Sequence, residues 1–560
     1  MNLLSLKKSR ITTIVICLLI ISSISVAFKL PHVDFTEPPI SEDTYVYILA
    51  AFSIINGDFS QPDTKPLGWS ILLSPFYLFD DSTDLLHYVN IARILSIAIS
   101  TITILPMYIL ARRFFDEKYS LVASCLFAFE PHLINNSTLG LSEPLFILAI
   151  ILTSIFILQK NHSWYFYMSF LLAGITWWIR VNGFITLVIL SIIFFIVYKS
   201  SSKNFTKYLL CIVIFVLVAS PMLIQKYDQF GDPLYFAISD NYFAGDQKHF
   251  ALNTKHIEYS ASDYIQDNGI IGFLERFGLT GLGSMASTLL KMLFPYLIIL
   301  VPFGILFSLR SFAQDKDYVK SIWVLMLITL GSVVIQFSIV SDMRFIYHIF
   351  PFLIILSTIT IQRVVKYGLS TFSFSDKQKN FFLIGVICVI IILSGMFMLR
   401  VDTQDKILNQ ERIEFTETLT KNFGGKRVGT VSFTKGPVKA ECVAHKSLEG
   451  GRNYFYVVLQ NGDQGWMGRP YVMRDRRGRE FLMPNPLTGE EVRVEFKVEK
   501  DFLSSDVRLN TERYIPSYDS IDWDNRIPVR FRREGYSMYS QAMLDGYAEV
   551  DRLVSQYQGF

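Results

Sequence analysis

Over most of this chain the apolar residues do not alternate with polar ones at short spacing; they gather into runs of about twenty, divided by short polar breaks. Such runs predict spanning helices over residues 11–28, 89–110, 119–135, 141–158, 164–180, 183–198, 208–225, 286–309, 321–340, 346–362 and 381–399. The expected fold is therefore a polytopic α-helical membrane protein of about 11 transmembrane helices. The first run, Ile11 to Phe28, follows Lys7, Lys8 and Arg10 as a secretory signal would. Its length and the lack of a small-residue cleavage site make it an uncleaved first span. After Arg400 the pattern changes to short apolar alternations such as Tyr454 to Leu459 and Val492 to Val498. Turn signals at Gly424-Gly425, Gly450-Gly451 and Pro484-Asn485-Pro486 punctuate them. This predicts a helix near 405–422 and then a mixed or β-rich domain, giving a division into residues 1–400 and 401–560.

Two longer segments interrupt the apolar runs, 29–88 and 226–285. In the first, Asp43 to Ile55 places Tyr47, Leu49, Ala50 and Ile54 at helical spacing, and a second apolar helix is expected near Trp69 to Phe79. Both are expected to lie in the interface plane, flat on the bilayer or on the outer mouth of the bundle.

Charge adds orientation. With the N-terminus in the cytoplasm, the inner breaks carry Arg112, Arg113, Lys118, Lys160, Lys199, Lys203, Lys207, Arg310, Lys316, Lys320, Arg363, Lys366, Lys377 and Lys379, while the short outer connections hold almost no basic residues. Both long segments and the C-terminal region then fall on the extracytoplasmic side. A multi-pass protein of a prokaryotic plasma membrane is the expected setting. Overall the chain is close to neutral, with a formal charge of +3, which gives no reason to expect a nucleic-acid partner. Four of the five cysteines, Cys17, Cys125, Cys211 and Cys388, lie in apolar runs, and no Cys/His spacing suits a metal. No metal and no cofactor are expected.

Candidate chemistry gathers at the outer ends of the runs. SEDTYVYILAAFSIINGDF, from Ser41, sets Glu42 and Asp43 at the start of an amphipathic helix. Carboxylates there suit the helix dipole as simple caps. An acid held beside the bilayer also suits a general base acting on a lipid-linked substrate. Glu143, between Ser142 and Pro144, reads equally as an ordinary helix entrance. The turn at Gly231-Asp232-Pro233 brings aromatics to a position for an interfacial belt or a sugar platform. Asn135 and Asn136 open overlapping glycosylation sequons on a predicted outer turn.

Taken in order with KPLGWSILLSPFYLF from Lys65, LSEPLFILAIIL from Leu141, WWIRVNGF from Trp177, YDQFGDPLYF from Tyr227 and DMRFIYHIFPFLIIL from Asp342, the chain resembles the GT-C superfamily of membrane glycosyltransferases. The branch is that of protein O-mannosyltransferases and the aminoarabinose transferases acting on lipid A, and the resemblance covers about residues 10 to 400. It implies an inverting enzyme that takes a sugar from a polyprenyl-monophosphate donor, such as dolichyl or undecaprenyl phosphate, to a protein, glycan or lipid acceptor outside the membrane. Asp43 matches the family's first-loop acid by its spacing to Ala51 and Gly57, with Glu42 the alternative. Glu143 is then an acid that orients the acceptor or Asp43. A leaving phosphate needs cations, and Arg180, Arg344 and Lys65 are the donor-phosphate candidates, against the alternative of snorkelling to headgroups. Arg93 is expected to anchor at the interface, and His348, four residues beyond Arg344, to be structural. The rival reading is a secondary transporter or lipid-linked saccharide flippase, which predicts functional charges near the membrane midplane. A non-catalytic assembly protein that binds through its tail is a further rival.

Overall fold

The computed structural model describes residues 3–36, 43–57, 59, 65–80, 82, 85–159, 164–198, 202–234, 243, 260–309, 316–339 and 341–422, and seven short strands between 429 and 531. In chain order the helices are α1 (Leu3–Lys29), α2 (Asp43–Ile55), α3 (Gly68–Tyr77), α4 (Leu85–Ile102), α5 (Ile104–Ala111), α6 (Glu117–Ala128), α7 (Pro131–Thr138), α8 (Glu143–Ile157) and α9 (Trp164–Ile179). Next come α10 (Ile185–Tyr198), α11 (Ser202–Phe230), α12 (Ala261–Phe273), α13 (Thr280–Leu293), α14 (Leu297–Leu309), α15 (Lys316–Phe337), α16 (Phe350–Arg363) and α17 (Asp376–Asn422).

Each expected apolar run falls on a helix, yet among the described residues only six stretches are long and apolar enough to cross a bilayer. These are Ile11–His32, Leu86–Ala111, Asn204–Asp228, Lys316–Phe337, Met343–Thr371 and Asp376–Asp402. A pair bent by 110°, Ala261–Leu293 with Leu297–Leu309, makes a seventh if taken as one span. The other runs form shorter helices, such as Glu143–Ile157 and Val181–Ile196. Proline explains one of them. Pro131 holds Glu130 extended, at φ −72° and ψ 117°, so the run expected over 119–135 breaks into α6 and α7.

The chain divides into two compact units, which are taken separately. Unit 1 holds residues 1–33, 93–222 and 271–402. Its centre is α16, all of whose residues are buried. There α14 approaches so closely that a Cβ on Gly304 would lie 2.2 Å from the carbonyl of Leu356. Thr360 crosses the same seam, donating to the carbonyl of Leu300 at 2.7 Å. Small residues at such seams let backbones meet where lipid offers no hydrophobic drive to bring helices together. The Ser25 hydroxyl ties α1 to the end of α6 through the carbonyl of Ala128 at 3.1 Å. Beyond α1, His32 contacts Asp402 on α17 at 2.5 Å.

Unit 2 holds residues 34–92, 223–270 and 403–560. Phe52 of α2, Tyr77 of α3 and Tyr88 of α4 form an aromatic cluster, with ring centroids 4.9 to 5.7 Å apart. Their hydroxyls are satisfied locally. Tyr77 donates to the carbonyl of Tyr88 at 2.9 Å, and Tyr88 donates to those of Asp80 and Ser82. Val46, Tyr47, Ile48, Ala50, Ala51 and Phe52 of α2 are all buried.

In the C-terminal region the helix expected near 405–422 is the continuation of α17, which runs unbroken for 47 residues. Beyond it lies an antiparallel sheet in the order β1 (Gly429–Ser432), β2 (Lys439–Lys446), β3 (Asn453–Gln460), β4 (Trp466–Arg474), β7 (Arg530–Phe531). A separate pair is formed by β5 (Leu482–Pro484) and β6 (Glu491–Arg493). The expected alternation at Tyr454 to Leu459 is β3; that at Val492 to Val498 begins in β6, and its remainder lies outside the described residues.

Candidate active site

In unit 2, Asp43 occupies the first turn of α2, where exposed backbone N–H groups favour a negative charge. It is only 4% exposed, and its Oδ2 lies 2.8 Å from the ammonium of Lys65. Lys65 is carried just ahead of α3. The adjoining Pro66, Leu67 and Trp69 are buried, so the backbone that presents the ammonium is fixed by packing. The acid and the first-loop cation singled out in the sequence are thus one ion pair. Glu42, the alternative acid, lies outside the described residues.

In unit 1, the candidate residues cluster on three turns. Glu143 opens α8 with Pro144 behind it and is 3% exposed. Its Oε1 accepts from Nη1 of Arg180 in a close ion pair, while its Oε2 is buried with no hydrogen-bond partner among the described residues. Arg180 is placed by a local break. It is extended, at φ −145° and ψ 145°, between α9 and a 3-10 turn over Val181–Phe184. Gly183 makes the break possible. A Cβ there would lie 2.2 Å from the carbonyl of Thr176 and 2.6 Å from the backbone nitrogen of Trp177. Neither of those backbone atoms can move aside without unwinding the end of α9. The Arg180 guanidinium also lies 6.0 Å from the Phe146 ring centre.

The third turn is a 3-10 helix over Met343–Ile349. Asp342 starts it, accepting from the Arg344 backbone at 2.9 Å and from its Nε and Nη2 at 2.9 and 2.7 Å. A carboxylate holding both the backbone and the guanidinium of one residue fixes the direction of that side chain. Asn182 joins the second and third turns, donating to the carbonyl of Phe345 at 3.4 Å. His348 is buried, with its ring 5.0 Å from Phe146, as expected for a packing histidine. Tyr347 lies within electrostatic reach of Asp342, Glu130, Arg344 and Glu143, so these groups share one neighbourhood.

Two acids here were not singled out in the sequence. Asp342 begins a quoted motif, but its role needed the 3-10 turn to be seen. Glu130 caps α7 through Leu133 at 2.8 Å and is 1% exposed, with Oε1 lacking a hydrogen-bond partner among the described residues. The signal for Glu130 was present. Glu130-Pro131 repeats the Glu143-Pro144 pattern, an acid before proline at a helix start. Two other expectations fall elsewhere. Asn135 and Asn136 lie within α7, not on a turn, and Asn136 is buried. Gly231 does turn the chain, at φ +74°, but Tyr235 and Phe236 are outside the described residues.

Chemically, every cation proposed from the sequence as a phosphate ligand is already matched to a carboxylate: Lys65 to Asp43, Arg180 to Glu143, Arg344 to Asp342. Such pairs preset the direction of each donor, so an incoming anion meets groups that need little reorganisation.

Residues 76–224 match the family described as dolichyl-phosphate-mannose-protein mannosyltransferase. No curated protein matches the sequence. Among solved structures, the apo oligosaccharyltransferase of Archaeoglobus fulgidus aligns with a TM-score of 0.48 and 14% identity over 70% of this chain and 56% of that one. The archaeal oligosaccharyltransferase AglB from the same organism, in complex with an inhibitory peptide and a dolichol-phosphate, gives 0.46 and 16% over 69% and 56%. The protein O-mannosyltransferase Pmt1-Pmt2 complex of S. cerevisiae bound to the sugar donor gives 0.32 and 14% over 41% and 36%. The chain spans a little over half the length of the archaeal proteins it aligns with.

Proposed function

We propose that this chain is a membrane glycosyltransferase of the GT-C type that moves a sugar with inversion from a polyprenyl monophosphate to a hydroxyl of a protein, glycan or lipid on the outer face of the membrane. The observation that carries the reading is Asp43: a buried acid, at the start of a helix, fixed by Lys65 at 2.8 Å. The family match over residues 76–224 supports a dolichyl-phosphate-type donor and a protein acceptor, and residues 1–400 are assigned to the catalytic membrane domain.

In this reaction the acceptor oxygen attacks the anomeric carbon from the face opposite the phosphate. Its proton passes to the Asp43 carboxylate, the bond from the anomeric carbon to the phosphate oxygen breaks, and the electron pair leaves on the phosphate. Lys65, paired with Asp43, is assigned to the charge that develops there, and Arg180 and Arg344 are kept as donor-phosphate candidates on their sequence motifs. Glu143 is a positioning residue, since it acts through Arg180. A monophosphate carries little enough charge to be held by side-chain cations. The transporter or flippase reading draws less support, because the paired charges stand at helix ends and turns.

The test is transfer from a panel of radiolabelled polyprenyl-monophosphate sugars by the purified protein, beside Asp43→Asn, Glu42→Gln and Arg344→Ala. Consumption of one donor by the wild type but not by folded Asp43→Asn is the expected result. Loss confined to Glu42→Gln moves the base by one residue. Consumption of no donor, with carboxylate changes that alter lipid or solute movement in vesicles, overturns the reading in favour of transport.

A further inference from the structure

At the end of unit 1 remote from Arg180 and Glu143, a different constellation gathers. The helix α16 separates the two: it starts beside the Met343–Ile349 turn and ends at Arg363, about 21 Å away at the rise of an α-helix. Three elements meet there: the turn between α5 and α6, the π-helical turn Val364–Gly368, and the start of α17. Lys118 lies within electrostatic reach of Lys366 and Lys379, and of Asp116 and Asp376. With Arg112 and Arg113 on the adjoining turn and Glu117 in the first turn of α6, five cations stand against three carboxylates.

The cluster is organised. Lys118 and Lys366 both lie over the Tyr119 ring, at 5.7 and 5.3 Å from its centre. Lys118 donates to the side-chain oxygen of Asn380, Lys366 meets Asp116 at 3.4 Å and Lys379 meets Asp376 at 3.7 Å. On the same turn as Asp116, Nε of Arg113 is buried and has no hydrogen-bond partner among the described residues. Asp116 and Asp376 offset part of the repulsion among these cations, and an incoming anion offsets the rest. Along the chain just after Lys366 come Tyr367, Phe372 and Phe374, exposed by 59%, 74% and 39%. A soluble anion has no use for an apolar rim. A headgroup phosphate with its glycerol and acyl carbons uses both the charge and the rim.

We infer that Lys118, Lys366 and Lys379, with Arg113 behind them and the Tyr367–Phe374 rim that follows Lys366, form a docking site for the headgroup of an anionic phospholipid. The site lies on the face that the charge pattern assigns to the cytoplasm. It is separate from the donor site proposed above, and does not depend on it.

The test uses the full-length protein in nanodiscs of phosphatidylcholine alone or mixed with phosphatidylglycerol, and reads the lipid retained after detergent extraction by native mass spectrometry. Wild type is expected to retain phosphatidylglycerol selectively. The triple change Lys118→Gln, Lys366→Gln, Lys379→Gln is expected to lower that retention about tenfold or more, while the corresponding triple arginine variant keeps it. A control with Lys203→Gln, Lys207→Gln and Lys320→Gln removes equal charge from the same face. Equal loss in that control shows a diffuse field and overturns the site. So do unchanged retention in the first triple variant and displacement of the lipid by inorganic phosphate.

Discussion

Replacing Asp43 by Asn separates its two possible duties, helix capping and proton removal. The amide keeps the shape and one acceptor, so α2 keeps most of what a cap provides, and the loss to stability is that of one charge-assisted bond. Such a bond to a charged group contributes about 1.5–3 kcal/mol. The lower end applies here, because the Lys65 side chain is 25% exposed and turns to water when its partner is neutral. General base catalysis contributes about 10²–10⁴ in rate, equivalent to about 2.7–5.4 kcal/mol of barrier. The catalytic effect therefore exceeds the structural one. Initial rates of sugar transfer are measured with donor and acceptor both saturating, beside thermal unfolding in the same detergent. The expected result is a fall in kcat of at least about a hundredfold, with unfolding little changed. A folded Asp43→Asn protein within about threefold of wild type refutes the assignment of the base, because no base contribution of that size is then being lost.

Other outcomes follow from the geometry. Arg180→Met strands the buried Glu143 and is expected to cost about 3–5 kcal/mol, whereas Arg344→Met, whose pair with Asp342 is 22% and 26% exposed, costs about 1 kcal/mol or less; equal unfolding losses in the two variants refute the burial argument. Gly183→Ala drives a methyl into the Thr176 carbonyl and is expected to cost about 1–3 kcal/mol and to raise KM for the donor by moving Arg180; an unaltered protein shows that the turn is not set by this contact. The hydrogen bond from His87, followed by the Ser82 N–H, holds the Asp80 carboxyl below its usual range. Its stabilising contribution is present above the ordinary carboxylate pKa and is lost as pH falls through the lowered one. Amide protection around Tyr88, taken relative to the intrinsic exchange rate at each pH, is expected to fall on acidification in wild type and less so in His87→Ala, and identical profiles refute the linkage.

Much of the architecture was legible because apolar length and charge asymmetry are properties of the chain alone. Each expected run falls on one or two helices, and among the described residues six stretches are long enough to span. What the runs did not reveal is where a helix breaks. Pro131 gave a signal for the break between α6 and α7, but the break at Arg180 depends on Gly183 meeting the backbone of α9, a contact with no periodicity to announce it. The candidate residues could be named from the chain, but their pairings could not. Lys65 lies more than twenty positions from Asp43, and Arg180 further still from Glu143, so which acid meets which cation is decided by folding. The burial of α2 escaped notice for a related reason: a short helix with polar residues at its start reads as amphipathic until its neighbours are known.

The enclosure of α16 bears on how the protein is made. A helix with protein on every side never has to satisfy lipid, so its sequence can carry Ser357, Thr358, Thr360, Gln362 and Arg363 toward one end. The same freedom makes it a poor candidate for entering the bilayer alone, since polar residues weaken partition into hydrocarbon. It is expected to integrate as a passenger of α14, with the Gly304 seam and the Thr360 bond to Leu300 formed at or near the time of insertion. Damage to that seam would then show itself first as a failure of biogenesis, before any property of the finished protein could be measured.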